Sequence, residues 1–478
     1  MNALGLLAGL LDAGTFRSWD ASPADSPHAD AAYAGALARA RAATGIDESV
    51  VTGEGLLGGH RVAVAASEFG FLGGSIGVAA GERLTAAVER ATRERLPLVV
   101  LPASGGTRMQ EGTLAFLQMI KITAAVTAHK GAGLPYLVYQ RHPTTGGVFA
   151  SWASLGHVTV AEPGALIGFL GPRVYAALHG RPFPAGVQTA ENLRAHGLVD
   201  AVVPVAELAA YLGGVLTALA PAEHRDETTP EVAAPYPGQT AAPAWESVLR
   251  TRESGRPGAA ELIRAMATDV VRLRDTGLIL ALARVAGRPC VLVAQDRSGP
   301  AAGAGALRQA RRGMLLAEEL RIPLVTVIDT PGAELSARAE EEGVAGEIAQ
   351  CIASLINLRT PTISVLLGEG TGGGALALLP ADRVLAAEHA WLAPLAPEGA
   401  SAIVYKDTAH APELAARQGI RAVDLAGDGI VDRVIAETGP ACRDLGRAVR
   451  DELRLVTAQD DAARTARRLR RYRRLGLG

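Results

Sequence analysis

Four glycine turns are the residues of this sequence best suited to chemistry. Ser104-Gly105-Gly106-Thr107 and Thr144-Thr145-Gly146-Gly147 follow apolar runs in the first half. Thr330-Pro331-Gly332 and Gly368-Glu369-Gly370-Thr371-Gly372-Gly373-Gly374-Ala375 follow apolar runs in the second. Glycine permits a sharp turn and lets a ligand approach backbone amides closely. A helix that opens directly after such a turn points its unpaired N–H groups and positive dipole end into the same space. That arrangement suits an oxygen that becomes negative during reaction, as the oxygen of a thioester enolate does. One well-placed donor of this kind lowers a barrier by about 2.7–4 kcal/mol. A lone glycine pair is read more simply as a tight turn serving helix–strand packing; four turns at repeat-related positions favour function.

Other chemistries fit less well. Neither half contains GxxxxGK[ST], so no phosphate loop is indicated. Gly368-x-Gly370-x-x-Gly373 matches the dinucleotide pattern, but its acidic ribose partner would have to be Asp382 or Glu388, and the repeat points elsewhere. No GxSxG elbow offers a nucleophilic serine. His60, His142 and His157 lack HxH or HxxxH spacing and are assigned to packing or surface roles, so no metal site is predicted. Glu334, Glu340, Glu341 and Glu342 form an acidic run that a solvated helix start explains as well as catalysis does. No side chain presents itself as a general base, so the site is expected to work through backbone amides.

The elements that must position these turns recur at a constant offset. Pro97 and Pro323, Pro135 and Pro361, Gly146 and Gly372, and Glu162 and Glu388 are each 226 residues apart (323 − 97, for example), and their neighbours match as well. An ungapped offset over that stretch indicates duplication of a domain-sized unit. Around the turns the pattern alternates short strands and amphipathic helices, as in an α/β domain. Strands are predicted at Arg61–Ala66, Pro97–Pro102 and Pro135–Gln140 in the first copy. In the second they are predicted at Arg288–Gln295, Pro323–Ile328 and Thr362–Leu367. Helices are predicted at Ala79–Arg95, Thr113–Lys130, residues 205–219, Leu307–Leu320 and Gly346–Asn357, with a helical entry to the second copy at Ala259–Asp275. Residues 222–244, rich in Ala, Pro, Glu and Thr, lose apolar periodicity and read as a linker between domains at 1–221 and 245–478.

Bulk properties narrow the class. The chain has 478 residues, a formal net charge of −2 and only 4% aromatic residues, which argues against a nucleic-acid surface. The arginine-rich segment at 460–475 is assigned to a solvated helix end, where the helix dipole favours cations, rather than to a nucleic-acid arm. Three scattered cysteines, Cys290, Cys351 and Cys442, fit a reduced compartment and cannot form a four-cysteine zinc ribbon. Residues 3–11 are apolar but lack a preceding basic residue, and no run of 18 apolar residues exists, so a cytoplasmic protein without a membrane anchor is expected.

At its motifs the chain resembles the carboxyltransferase of bacterial acetyl-CoA carboxylase, with beta and alpha subunits fused in one polypeptide. The beta-like half carries Val50-Val51-Thr52-Gly53-Glu54-Gly55, Phe71-Leu72-Gly73-Gly74-Ser75, Ala103 through Glu111, Pro143 through Val148, and Ile167 through Arg173. The alpha-like half carries Ile328 through Ala333, Gly368 through Ala377, Ala396 through Ser401, and Lys406. The resemblance covers essentially the whole chain, from Leu11 to about Glu437.

This resemblance implies two crotonase-type domains built of repeated ββα turns. It implies transfer of a carboxyl group from carboxybiotin, supplied on a separate carrier protein, to the α-carbon of acetyl-CoA or a related acyl-CoA, giving malonyl-CoA or its analogue. Gly146 with Gly147 and Gly373 with Gly374 would form two oxyanion holes, and Gly105 and Gly106 would line the acyl-CoA side. Gly332 and Gly372 belong to the same substrate-binding turns, with Arg108, Arg173 and Lys406 as positive partners for CoA or biotin. The resemblance further implies a biotin carboxylase and biotin carboxyl carrier protein as partners, and a site completed between protomers of a homodimer or larger assembly. Two departures stand out: the zinc ribbon usual in beta subunits is missing, and the alpha-like half is short between Gln295 and Leu307. A biotin-independent malonyl-thioester decarboxylase and a non-catalytic scaffold are the alternatives; a crotonase-type hydratase is disfavoured because no glutamate pair follows the turns.

Overall fold

The computed structural model describes residues 1–22, 30–221, 242–275, 277–437 and 442–476. Most of the linker predicted at 222–244 therefore lies outside the described residues. The chain divides into two compact units, Met1–Thr217 and Ala218–Gly478.

Unit 1 is built on a seven-stranded sheet. Its central strands are β1 (Val50–Leu57), β2 (His60–Ser67), β3 (Leu98–Leu101), β4 (Tyr136–Gln140) and β5 (Val158–Ala161). β1 and β2 form an antiparallel hairpin, and from β2 onward every pairing is parallel. Parallel neighbours need crossovers, supplied by helix α1 (Val78–Arg93) between β2 and β3 and helix α2 (Gly112–Gly131) between β3 and β4. Ala80, Leu84, Ala87, Val88 and Ala91 of α1 recur at helical spacing and are buried against the sheet. β3 and β4 are buried along their whole length, which is why they read as continuous apolar runs rather than as alternation. Helix α3 (Gly146–Phe149) opens directly after the Thr144-Thr145 extension of β4.

Unit 2 repeats this plan. Strands β6 (Ala267–Arg274), β7 (Ile279–Val285), β8 (Arg288–Ala294), β9 (Leu324–Thr330), β10 (Thr362–Thr371) and β11 (Arg383–Ala387) are neighbours in that order within an eight-stranded sheet. Helices α4 (Ala304–Leu320) and α5 (Val344–Asn357) make the crossovers, and α6 (Gly372–Leu376) opens after β10. α1 and α4 are both capped by glycine, Gly77 and Gly303, 226 residues apart. β2–β3 and β8–β9 pair Ala63 with Leu98 and Val291 with Leu324, offsets of 228 (291 − 63) and 226 (324 − 98). The connection from β8 to α4 is thus two residues shorter than its unit 1 counterpart, within the stretch that is already short in sequence.

Two expectations are corrected. The predicted helix Ala259–Asp275 stops at Met266, and the rest is β6, an edge strand paired antiparallel with β7. Its Thr268, Val270 and Val271 favour strand, and its mostly exposed residues hid the sheet signal. Ahead of β1, Ala3–Leu10 is a helix that buries Ala3, Leu6, Leu7 and Leu10, and Ala31–Thr44 is another. The arginine-rich segment is helix α8, following α7 (Arg443–Thr457), and spans Asp461–Arg474. Arg464 and Arg468 of α8 are buried and pair with Asp382 at 3.1 and 2.9 Å. A partnered, buried face replaces the solvated one expected. Among the described residues no helix is long and apolar enough to cross a membrane.

Close helix–sheet contact in unit 2 depends on Gly313, where a Cβ would stand 2.6 Å from Val293 Cγ2 and 2.8 Å from Leu280 Cδ1. Gly313→Ala is expected to destabilise the protein by about 1–3 kcal/mol. Gly305→Ala, which meets nothing within 4 Å on the same helix, should be neutral or stabilising by about 0.4–1 kcal/mol. Urea unfolding monitored by circular dichroism checks both.

Candidate active site

In unit 1 the ends of β3 and β4 run on side by side into the first two glycine turns. Ser104 N–H donates to the Pro143 carbonyl at 2.7 Å, and Thr145 N–H donates to the Ser104 carbonyl at 2.9 Å. The Ser104 hydroxyl accepts the Gly106 N–H at 3.0 Å and so closes the turn on itself. Gly106 lies at φ +109° and Gly146 at φ +63°, conformations that favour glycine. The turns touch through backbone: a Cβ on Gly106 would come within 3.2 Å of Gly147 N, and one on Gly146 within 3.1 Å of the Gly105 carbonyl. Gly105, Gly106, Gly146 and Gly147, singled out from sequence, are therefore brought together.

Unit 2 builds the same device from different residues. The Thr330 hydroxyl accepts the Gly332 N–H at 3.1 Å, as Ser104 does for Gly106. Gly332 has φ +132° and Gly372 φ +60°. A Cβ on Gly374 would lie 2.8 Å from Ala333 N and 2.9 Å from the Gly332 carbonyl carbon. Gly332, Gly372, Gly373 and Gly374 thus form one cluster. Gln295 fixes it from β8, its Nε2 donating to the Gly374 carbonyl at 2.7 Å.

The donors are not all equivalent. Gly146 N–H is already committed to the Phe169 carbonyl at 3.1 Å. The first turn of α3 leaves the N–H groups of Gly147 and Val148 without an intrahelical acceptor, and that of α6 does the same for Gly373 and Gly374. By the 226-residue offset, Gly147 and Val148 correspond to Gly373 and Gly374, so the repeat-consistent donor pair in unit 1 lies one residue beyond the pair named from sequence.

The three cations expected near substrate differ in placement. Arg108 is 1% exposed, and its guanidinium is held inside unit 1. It bonds Glu48 Oε2 at 3.0 Å, the Ser75 carbonyl at 2.8 Å and the Ser49 hydroxyl at 3.0 Å. Burial opposes its charge, but Glu48 outweighs burial and leaves its pKa above that of a free arginine. The Glu111 carboxylate beside it accepts the Tyr33 hydroxyl and, at 2.6 Å, the Val78 N–H at the start of α1. Arg108 is therefore a strut of the turn rather than a group facing a ligand. Lys406 is exposed, and its Nζ donates to the Ile403 carbonyl at 3.2 Å, at the end of its own preceding helix. Arg173 falls in the first turn of the helix Pro172–His179.

Sequence reasoning missed Gln295, the two turn-closing hydroxyls and Asp329. Ser104 and Thr330 stand two residues before a glycine, which is the signal for such turns. Asp329 ends an otherwise apolar or hydroxyl-bearing strand, is fully buried, and burial raises its pKa to about 6 against the lowering pull of Arg297. Among the described residues no group of three or more His, Cys, Asp or Glu could hold a metal ion.

A family model described as the carboxyl transferase domain matches residues 21–424. The chain belongs to the carboxyl transferase family. It is 58% identical over 485 residues to the probable biotin-dependent acyl-coenzyme A carboxylase beta3 subunit of Mycobacterium tuberculosis, covering 98% of this chain and 97% of that protein. It is 39% identical over 520 residues to the acetyl-coenzyme A carboxylase carboxyl transferase subunits beta/alpha of Salinispora arenicola, covering all of this chain and 91% of that protein. Among solved structures, transcarboxylase 12S with methylmalonyl-coenzyme A bound superposes with a TM-score of 0.79 at 22% identity, covering 96% of this chain and 90% of that one. The two units of this carboxyltransferase accordingly have the crotonase-type fold.

Arg108→Ala should destabilise the carboxyltransferase by about 3–5 kcal/mol, because Glu48 would be left buried and unpaired. Denaturant unfolding tests this. A substrate-contact role would instead leave stability unchanged and raise KM.

Proposed function

We propose that this chain is the carboxyltransferase of a biotin-dependent acyl-CoA carboxylase. It would transfer a carboxyl group to the α-carbon of acetyl-CoA or a related acyl-CoA, forming malonyl-CoA or its analogue. The observation that carries this reading is the repeated turn, with two glycine clusters at equivalent positions, each followed by a helix whose first amides lack intrahelical acceptors. Carboxylation at an α-carbon passes through a thioester enolate, and one set of amides would bear its oxygen. The second set suits the ureido oxygen of biotin, a neutral acceptor of similar size. A Cβ at Gly147 would stand 3.3 Å from Met119 Cγ and 3.5 Å from Thr107 Oγ1, and one at Gly373 2.8 Å from Ile348 Cδ1, all side-chain atoms. Both residues have ordinary φ, so the glycines leave room beside the donors that a branched side chain would fill.

Biotin, carried on a separate protein and charged by a biotin carboxylase, supplies the transferable carboxyl group. In this reading Gly147 with Val148 and Gly373 with Gly374 are the donors, while Gly105, Gly106, Gly332 and Gly372 shape the turns. Gly146 contributes its conformation, its N–H being occupied. The beta-like assignment goes to residues 1–221 and the alpha-like one to 245–478. Arg173 and Lys406 are retained as candidate cations for CoA or biotin.

We also propose that the enzyme acts as a homodimer or larger homo-oligomer, its site completed between a beta-like unit of one copy and an alpha-like unit of another. Support comes from the outer face of α2, where Phe116, Leu117 and Ile120 are 59%, 44% and 67% exposed, next to Met109 at 80%. An apolar stripe of that kind on a soluble protein marks an interface.

Purified protein given malonyl-CoA and biocytin is expected to release acetyl-CoA only when biocytin is present. Release without biocytin would replace the reading with a decarboxylase; no release with malonyl-CoA or methylmalonyl-CoA would remove it. Gly147→Val and Gly373→Val should each abolish transfer while circular dichroism stays that of wild type. Phe116→Asp combined with Ile120→Asp should give a monomer by light scattering, with transfer lost.

A further inference from the structure

Asp329 is the buried titratable group that this mechanism leaves unused. It stands at the end of β9, opposite an irregularity in β10. Ile328 pairs with Leu366, yet Thr330 pairs with Gly370, so β10 carries two extra residues across from Asp329. Such a bulge redirects a strand, and here the redirected segment leads straight into Thr371 and the Gly372–Gly374 turn.

Beyond the bulge, Glu369–Thr371 pair in parallel with the short strand Trp391–Ala393, and side chains tie down the bulge itself. Asp329 Oδ1 accepts the Glu369 N–H at 3.1 Å. Gly368 is packed against the same oxygen, which a Cβ there would approach to 2.6 Å. Glu369, itself buried, accepts the Thr371 hydroxyl at 3.3 Å and faces Arg252 at 3.5 Å. Arg256 donates to the Leu367 carbonyl at 2.6 Å. The chain from Leu367 to Thr371 is thus tethered at successive points, and Asp329 supplies the central one. Asp329 Oδ2 is buried and has no hydrogen-bond partner among the described residues.

We propose that Asp329 is a positioning residue whose carboxylate fixes the β10 bulge and thereby the direction in which the Gly372–Gly374 turn presents its amides. This rests on the proposed function for what the turn does, but not for how it is held. A carboxylate accepts a backbone N–H more strongly than a neutral acid does. Protonation therefore loosens the tether. Arg297 and Arg256 attract the charge, while Glu369 opposes it; Cys442, at the start of α7, also feels Asp329. Burial dominates and sets the carboxyl at about 6, so the tether is charged well above that pH and weakens as the pH falls through it.

Amide hydrogen exchange of the whole protein, read on peptides covering residues 366–376, tests the proposal without needing turnover. Asp329→Ala is expected to speed exchange there by about tenfold or more while other peptides keep their protection. Asp329→Asn, which keeps a carbonyl acceptor for the Glu369 N–H but, like the protonated acid, lacks the charge, should fall between Asp329→Ala and wild type. Wild-type exchange in Asp329→Ala, or equal acceleration in both variants, would overturn the proposal. Should Asp329→Ala fail to fold, Gly368→Ala serves instead: it displaces the same oxygen, and unchanged exchange at 366–376 would count against the tether. In the biocytin assay, kcat of Asp329→Ala should fall by about tenfold or more with KM changed by less than about threefold. Asp329→Asn should recover part of that loss and lack the wild-type decline in kcat below a pH of about 6. Wild-type protein without biocytin-dependent turnover would defeat the proposed function alone, and the exchange data would still decide the role of Asp329.

Discussion

Two sharp turns can press backbone on backbone this closely only where a Cβ is missing at the point of contact, and this molecule is organised around that constraint. In unit 1 the approach is Gly105-Gly106 against Gly146-Gly147; in unit 2 it is Gly332 against Gly374, with under 3 Å left for any side-chain carbon. Parallel strands β3 with β4, and β9 with β10, deliver the paired turns side by side. A hydroxyl two residues ahead of the glycine closes each first turn, and the short helix after each second turn leaves amides unengaged. Much else in each unit serves that contact. Arg108, Glu48 and Glu111 brace one cluster from within the protein, and Gln295 reaches across to the other.

The two units keep the device but not its supports. Where unit 2 uses Gly368 and Glu369, tethered by Asp329, unit 1 has His142 and a cis-bonded Pro143, 226 residues earlier. Where unit 2 has Gly374, unit 1 has Val148. Duplication set the geometry, and each copy then acquired its own means of holding it. The proposed function accounts for that divergence, since two turns that bear different ligand oxygens need different neighbours around equal backbone donors.

Much of this was legible in the sequence because it is local. Fully buried parallel strands appear as unbroken apolar runs, so β3, β4, β9 and β10 were located to within a few residues. The constant offset exposed the duplication, and the glycine motifs marked the turns. What escaped depended on contacts distant along the chain. Arg108 looked like a cation awaiting an anion because its partner Glu48 lies 60 residues away. β6 resembled the continuation of a helix because an edge strand has a weak alternation of its own. The occupied N–H of Gly146 depends on Phe169, and no spacing rule would disclose it. Asp329 could be seen as an acid in an apolar strand, but its task emerges only from the register of β10.

The burial of α8 gives the two units different timetables during synthesis. Asp382 sits beneath that helix with its side chain 3% exposed, receiving Arg464 and Arg468 as counter-charges and also accepting the Thr362 N–H that begins β10. Until residues 461–474 have left the ribosome, this carboxylate lacks both guanidinium partners. Unit 1, complete by Thr217, has no such dependence. A growing chain can thus finish its first crotonase-type unit while the second still awaits the segment that neutralises its floor.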